Sequence, residues 1–275
     1  MSMTARAPLA RSMLRRVARR AGVSRGSVAS LRMCCERNTL AHIRRRGDGE
    51  RSRILCYHSV GTPEWGVNDV SPANFARQVE CALGAGRRFV DAGTIAGGQG
   101  AAGDLAITFD DGLASVQNAL PMLRTYAIPF TLFIVSRWAD GGDPSFAPGT
   151  FLGWRDIEHL CERGATIGSH SVTHPNFGQL SPGQAREELF SSRDTIEQRL
   201  GIRPASFAIP FGQSRDWTAE SAATATAAGY DVVYAQSESR RPAGTIPRTF
   251  ITRWDSPRVF AAALDGAFDA WEEWV

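Results

Sequence analysis

LAITFDDGLASVQNALPMLRTYAIPFTLFIV, running from Leu105 to Val135, reads as one complete structural unit. Leu105–Phe109 is a short apolar run, Leu113–Tyr126 carries apolar residues at helical spacing, and Phe130–Val135 is a second apolar run. Strand, helix and strand in this order form the crossover that joins parallel strands. The same texture extends to both sides. Candidate strands are Ile54–Tyr57, Arg88–Val90, Ala165–Ser169, Ser206–Ile209, Asp231–Tyr234 and Ile246–Ile251. Candidate helices are Pro72–Leu83, Trp154–Glu162, Pro182–Leu200, Thr218–Ala228 and Pro257–Trp274. Ser71-Pro72 and Ser181-Pro182 each place a serine N-cap before a proline at the first helical position. This alternation predicts one α/β domain over residues 54–275, built on a mostly parallel sheet, open or closed into a barrel. Ala139–Thr150 is the longest stretch without periodicity, and such loops often border binding sites.

Composition removes several chemistries. All 31 basic side chains are arginine, so no lysine is present for a Schiff base, a pyridoxal-phosphate anchor or a P-loop. The charge is uneven. Residues 1–53 hold fourteen arginines against Glu36, Asp48 and Glu50, whereas the remainder holds seventeen against twenty-five acids. A basic arm therefore precedes an acidic body. The five cysteines make no C-x-x-C spacing and read as reduced, mostly buried thiols.

The chemistry gathers where predicted strands end. Leu105–Phe109 runs into Asp110-Asp111-Gly112, at the carboxyl end of a strand, where parallel α/β folds build their sites. Taken alone, Asp-Asp-Gly is an ordinary turn. Neighbouring side chains leaving a strand point to different sides, so one carboxylate can hold a cation while the other moves a proton. Ala165-Thr-Ile-Gly-Ser-His170-Ser-Val-Thr-His174-Pro175 supplies two histidines four apart, a spacing that brings both rings to one ion if it forms a helical turn. Two histidines, one carboxylate and a position left to water make a catalytic zinc-type sphere. Ser206-Phe-Ala-Ile-Pro210-Phe211-Gly212 is a further strand followed by a turn, and Ile54-Leu-Cys-Tyr57-His58 ends the first strand on a histidine.

Taken together, ITFDDG (107–112), IGSHSVTHPNF (167–177), SFAIPFG (206–212) and AGYDVVYA (228–235) resemble the polysaccharide deacetylases, carbohydrate esterase family four, in the family's order. The resemblance implies a distorted (β/α)7 barrel that hydrolyses the N-acetyl group of amino sugars such as N-acetylglucosamine in an oligo- or polysaccharide. Asp111, His170 and His174 would hold a divalent ion, zinc first, with cobalt or nickel as alternatives. Asp110 would be the general base. The Tyr57-His58 start resembles the branch in which the acid histidine comes from the first strand. No histidine follows His174, and His42 and His159 lie in the arm and in a predicted helix, so His58 is the candidate acid. The arginine that many members carry in the third motif is absent from Ser206-Phe207-Ala208, and Arg248 is the candidate replacement. Pro210, Phe211 and Gly212, with Trp154 and Trp217, are candidates to bind the sugar.

Leu9, Met13 and Val17 stand at helical spacing among arginines. The arm, residues 1–53, is thus expected to be a flexible tail or an amphipathic helix able to lie on anionic lipid. It has no aromatic residue to stack on a base, so nucleic acid is not an expected partner. No window reads as a secretory signal or a membrane span, which leads to the expectation of a cytoplasmic, membrane-associated protein. That location admits an alternative, a deacylase or deformylase of a lipid-linked amino sugar. A non-catalytic carbohydrate-binding relative is the alternative from another class.

Overall fold

The computed structural model describes residues 25–42, 50–236 and 241–270. Seven parallel strands form the central sheet: β1 (Arg53–Tyr57), β4 (Leu105–Phe109), β5 (Phe130–Ile134), β6 (Thr166–Ser169), β7 (Ser206–Ala208), β8 (Val232–Tyr234) and β9 (Thr249–Phe250). Their order is β8-β7-β6-β5-β4-β1-β9, while β2 (Ser59–Val60) and β3 (Asp69–Val70) pair separately. The last strand closes the ring. Ile246 bridges Tyr234 of β8 in parallel, and three and four residues further along, Thr249 and Phe250 pair with Leu55 and Cys56 of β1. The sheet is thus a curled, distorted (β/α)7 barrel.

Alternation along the strands assigns the two faces. Leu55, Tyr57, Leu105, Ile107, Phe109, Leu132 and Ile134 pack outward in the main core with the helices, whereas Ile54, Ala106, Phe133, Ala208 and Tyr234 meet one another inside the ring. The interior is narrow and full. A Cβ on Gly168 would come within 2.3 Å of the Phe133 ring, so β6 needs glycine there. The same alternation sends Cys56, His58, Thr108 and Asp110 inward, above that plug.

The helices are α1 (Arg25–His42), α2 (Pro72–Gly84), α3 (Ala92–Ala96), α4 (Leu120–Thr125), α5 (Ser136–Ala139), α6 (Trp154–Cys161), α7 (Pro182–Leu200), α8 (Ala219–Ala228) and α9 (Pro257–Leu264). Ser71 and Ser181 both cap as expected, and Ser181 forms a reciprocal capping box with Gln184. The expected helix Leu113–Tyr126 is divided. Residues 114–119 form 3-10 turns and α4 begins afresh, because Pro121 offers no N–H to the preceding turn. Arg88–Val90 is reduced to a single bridge at Phe89, and the expected helix from Pro257 stops at Leu264 before a left-handed Gly266.

Within residues 1–53, helix α1 contacts the body. Arg37, on α1, is 1% exposed, and its guanidinium donates to both carboxylate oxygens of Asp255 at 2.6 and 2.5 Å and to the Phe250 carbonyl at 3.1 Å. This buried ion pair pins α1 to the β9–α9 turn. The Leu9, Met13, Val17 pattern lies outside the described residues. No helix of the described residues is long and apolar enough to cross a membrane.

Candidate active site

The carboxyl ends of β1, β4, β6 and β7 bring the site together. Asp110 continues β4 by donating its N–H to the Tyr57 carbonyl at 3.0 Å, and His170 continues β6 by donating to Ile134 at 2.8 Å. Beyond these points the chain turns sharply. Four of the five non-glycine residues with positive φ among the described residues lie here: Asp111 (70°), Ser171 (72°), His174 (61°) and Phe211 (64°). Side chains other than glycine's disfavour this region, and clusters of such residues mark functional turns.

The two histidines do not share a helical turn. Residues 171–175 form a loop, and the left-handed Ser171 and His174 fold the second imidazole back towards the first. Glu188 on α7 fixes this loop, accepting the N–H groups of Val172 and Thr173 at 2.8 and 3.0 Å and the Thr173 hydroxyl at 2.6 Å. The Ser171 hydroxyl accepts the His174 N–H at 2.9 Å. Glu188 carries no signal in the sequence beyond its place on a predicted helix.

Asp111 Oδ1 stands 3.5 Å from His170 Nε2 and 3.4 Å from His174 Nε2. It is buried and has no hydrogen-bond partner. The His170 Nδ1 faces the Ala208 carbonyl at 2.8 Å, and a carbonyl only accepts, so Nδ1 carries the proton and Nε2 presents a lone pair to the carboxylate. Burial, ahead of the neighbouring charges, lowers the His170 pKa to about 3 and that of His174 to about 4, so both rings are neutral at ordinary pH. Burial raises Asp111 to about 6. A buried carboxylate oxygen without a hydrogen-bond partner, set between two imidazole nitrogens, is satisfied when a cation joins the three. The donor set fits a divalent ion of the zinc type, and all three atoms lie within 4.8 Å of one another.

Asp110 is treated in the opposite way. Burial by itself would raise its pKa, but Arg248 outweighs that effect, helped by His170 and His58, and holds the carboxyl well below the usual range. Arg248 Nη1 and Nη2 reach the two Asp110 oxygens at 2.6 and 2.8 Å in a bidentate fork. The guanidinium is itself fixed by the Ala235 carbonyl, the Thr108 hydroxyl and the Phe133 ring. Cys56, two residues before His58 and therefore on the same face of β1, points its thiol at Asp110 Oδ2 at 3.4 Å. Burial raises that thiol's pKa well above its usual value and keeps it protonated. Donors of Cys56, His58 and Asp110 also approach within 4.8 Å, but Arg248 already occupies both Asp110 oxygens, so this second group is no cation site. His58 is 8% exposed, meets the Phe250 ring edge-to-face at 5.6 Å, and leaves its buried Nδ1 without a partner.

The expected sugar-binding residues divide. Phe211 stands at the site, 51% exposed and 4.8 Å from the His174 ring. Pro210 is buried beneath it, and Gly212 admits no side chain because a Cβ would lie 2.8 Å from the Gln236 amide nitrogen. Trp217 and Trp154 are elsewhere. Trp217 is buried against Phe177 and Phe207, on the outward, helix-facing side of β7. Trp154 donates its indole N–H to Asp140 at 2.8 Å and lies beneath Arg199 of α7. The aromatic residue that does reach the site is Trp138, stacked on His174 at 5.5 Å, immediately before the long loop singled out by its lack of periodicity.

Comparison with known proteins finds deacetylases among the chains it resembles. The family profile described as polysaccharide deacetylase matches residues 97–233. The peptidoglycan-N-acetylmuramic acid deacetylase PdaC of Bacillus subtilis is 29% identical over 114 residues, which are 41% of this chain and 22% of that protein. The chain matches about a quarter of the length of such curated relatives. Among solved structures, IcaB from Ammonifex degensii is similar with a TM-score of 0.67 at 26% identity, over 80% of this chain and 100% of its own. The Streptococcus pyogenes deacetylase PplD, in complex with acetate, shares the fold at a TM-score of 0.67 and 20% identity, over 78% and 98% of the two chains.

Proposed function

We propose that this chain, whose residues 97–233 match the polysaccharide deacetylase profile, is a metal-dependent hydrolase that removes the N-acetyl group from amino sugars of an oligo- or polysaccharide. One observation carries the reading. Asp111 Oδ1, buried and unpartnered, faces the Nε2 atoms of two neutral imidazoles, beside a second carboxylate kept ionised by Arg248. A structural site has no use for that second, pinned carboxylate.

In this account Asp111, His170 and His174 hold the ion, with zinc the metal best suited to two imidazoles and one carboxylate. When bound, such an ion supplies Lewis acidity for the amide carbonyl and for the attacking water. Asp110 accepts the proton of that water, with Arg248 fixing both its oxygens so that the accepting lone pair has one direction. An amine leaves poorly as an anion, so the nitrogen must be protonated, and His58 at the end of β1 is the donor. Its unpartnered Nδ1 is free for that exchange. Phe211 forms the wall against which the acetylated ring rests, above Pro210 and Gly212. Products are acetate and a free amino sugar.

The test is acetate release from N-acetylglucosamine oligomers by the zinc-loaded protein, alongside Asp110→Asn and His170→Ala. Release by the wild type and its loss by at least a hundredfold in both variants, about 2.7 kcal/mol in the barrier, is expected. Equal release by all three proteins contradicts the proposal. The lipid-linked alternative rests on a membrane-seeking arm, and the described part of that arm is packed on α9 and the β9–α9 turn instead.

A further inference from the structure

The two groups assigned to proton transfer are held in different ways. Arg248 grips both oxygens of Asp110, whereas the His58 ring is buried with its Nδ1 unpartnered. With Nδ1 unanchored, the orientation of the ring rests on the residues that pack against it and on the backbone that carries it. Phe250 meets the ring edge-to-face at 5.6 Å and 81°, and Tyr57 precedes it at the end of β1. Both neighbours lead to the same guanidinium, that of Arg37 on α1.

The first route runs along β9. This strand is two residues long and pairs with β1 through Leu55–Thr249 and Cys56–Phe250, extended by the Ile251 N–H donating to the Cys56 carbonyl at 3.0 Å. Arg37 Nη2 donates to the Phe250 carbonyl at 3.1 Å and so holds the residue whose ring faces His58. The second route runs through Asp255. Its carboxylate takes the Arg37 fork and also the N–H and hydroxyl of Thr252 at 3.1 and 2.9 Å, which locks the turn after β9. Its carbonyl accepts the side chains of Asn74 and Gln78 at 3.0 and 2.8 Å, and Gln78 in turn accepts the Tyr57 hydroxyl at 2.9 Å. Arg37, Asp255, Gln78 and Tyr57 are each at most 1% exposed, so water is not at hand to replace a lost partner. Stability alone does not call for charges here, since apolar residues of similar volume often serve a core as well as a buried ion pair does. What a bidentate fork adds is direction.

We infer that Arg37 is a positioning residue for the proton donor. From α1 it fixes Phe250 directly and Tyr57 through Asp255 and Gln78, and so sets where the His58 ring stands. This rests on the deacetylase reading for the role of His58, and it adds that a helix from the arginine-rich N-terminal stretch completes the site.

The test uses the full-length, zinc-loaded protein. Arg37→Met combined with Asp255→Asn removes both charges together, so that no carboxylate is stranded, and Arg37→Lys keeps the charge but loses the fork. His58→Gln supplies the benchmark, and Arg32→Ala, an exposed site on the same helix, the control. Two substrates separate positioning from general damage: N-acetylglucosamine oligomers, whose amine must leave protonated, and para-nitrophenyl acetate, whose phenolate leaves without a proton. A displaced donor should lower kcat on the sugar amide on the order of 10–100-fold, while KM, the ester rate and zinc content stay at the wild-type level. In histidine-labelled protein the His58 ring signal of a proton–carbon correlation spectrum, identified by its loss in His58→Gln, should move in both Arg37 variants and stay in place in Arg32→Ala. If the double variant does not fold, Arg37→Lys decides by the same readouts. Amide and ester rates that fall in equal proportion, or a His58 signal at its wild-type position in the Arg37 variants, overturn the inference. The two readings fail separately. A displaced His58 signal in a protein whose wild type releases no acetate retains the placement and removes the deacetylase reading, whereas acetate release at the wild-type rate in the Arg37 variants retains the reaction and removes the inference.

Discussion

Asp110 and Asp111 leave the same strand, one residue apart, into opposite electrostatic surroundings. Arg248 answers the burial of Asp110 with a guanidinium that is itself 1% exposed, whereas Asp111 has no cation among its hydrogen-bond partners and is pushed up to about 6. Two pH effects follow. Replacing Arg248 by glutamine removes the main opposition to burial at Asp110, so its pKa rises and less of it is ionised at a given pH. The acid limb of kcat/KM should then move upward by ~1–3 pH units, which is the reach of a single opposite charge, in a profile of acetate release. The second effect concerns metal affinity. Imidazoles with ordinary pKa values would lose a metal near pH 6.5, but His170 and His174 stay neutral down to about 3 and about 4. Asp111 is then the ligand that protons claim first. Zinc affinity, measured by competition with a chelating dye, should be level above pH 7 and fall steeply below about 6; a fall centred instead on the histidine range would contradict the assignment.

At the scale of elements, the turn between His170 and His174 shows where sequence reading stops. Identity and spacing single out both candidate ligands, because strand ends collect polar residues and a pair four apart is conspicuous. Backbone conformation was hidden. The helical turn expected from the spacing is replaced by left-handed residues at 171 and 174, which become affordable only because Glu188, fourteen positions beyond His174, accepts two of the loop's N–H groups. Glu188→Gln, which keeps one acceptor but loses the charge, should weaken zinc binding by ~10–100-fold, the usual cost of losing a supporting hydrogen bond near a metal ligand, while far-ultraviolet circular dichroism is unchanged. The tryptophans teach the same lesson. Trp154 and Trp217 look as suitable as Trp138 in the sequence, and only the face of the strand or helix that carries each decides which one meets His174. Cys56, by contrast, was legible in principle, since period-two alternation puts it on the face of His58.

For the whole molecule, repeated strand–helix units are enough to specify a parallel α/β fold, and the last apolar run, Ile246–Ile251, marks the closing strand, with Arg248 immediately before β9. The contribution of α1 was not legible. Arginine-rich residues 1–53 read as a solvated arm, yet Arg37 crosses to Asp255, whose carbonyl in turn accepts the side chains of Asn74 and Gln78 on α2. Gln78 accepts the Tyr57 hydroxyl at 2.9 Å, one residue before His58. Arg37→Ala should lower unfolding free energy by ~3–5 kcal/mol in urea titrations, because it strands a buried carboxylate. Arg32→Ala, which removes only an exposed pair with Glu36, should cost under ~1 kcal/mol.

The central claim is that Asp111, His170 and His174 jointly hold one divalent ion. It is tested most directly by metal content and zinc titration of the purified full-length chain, the wild type beside Asp110→Asn, His170→Ala and His174→Ala. The account predicts one tightly held ion per chain in the wild type and in Asp110→Asn, and a large loss of affinity in both histidine variants. An ion bound with wild-type affinity by His170→Ala and His174→Ala would contradict it.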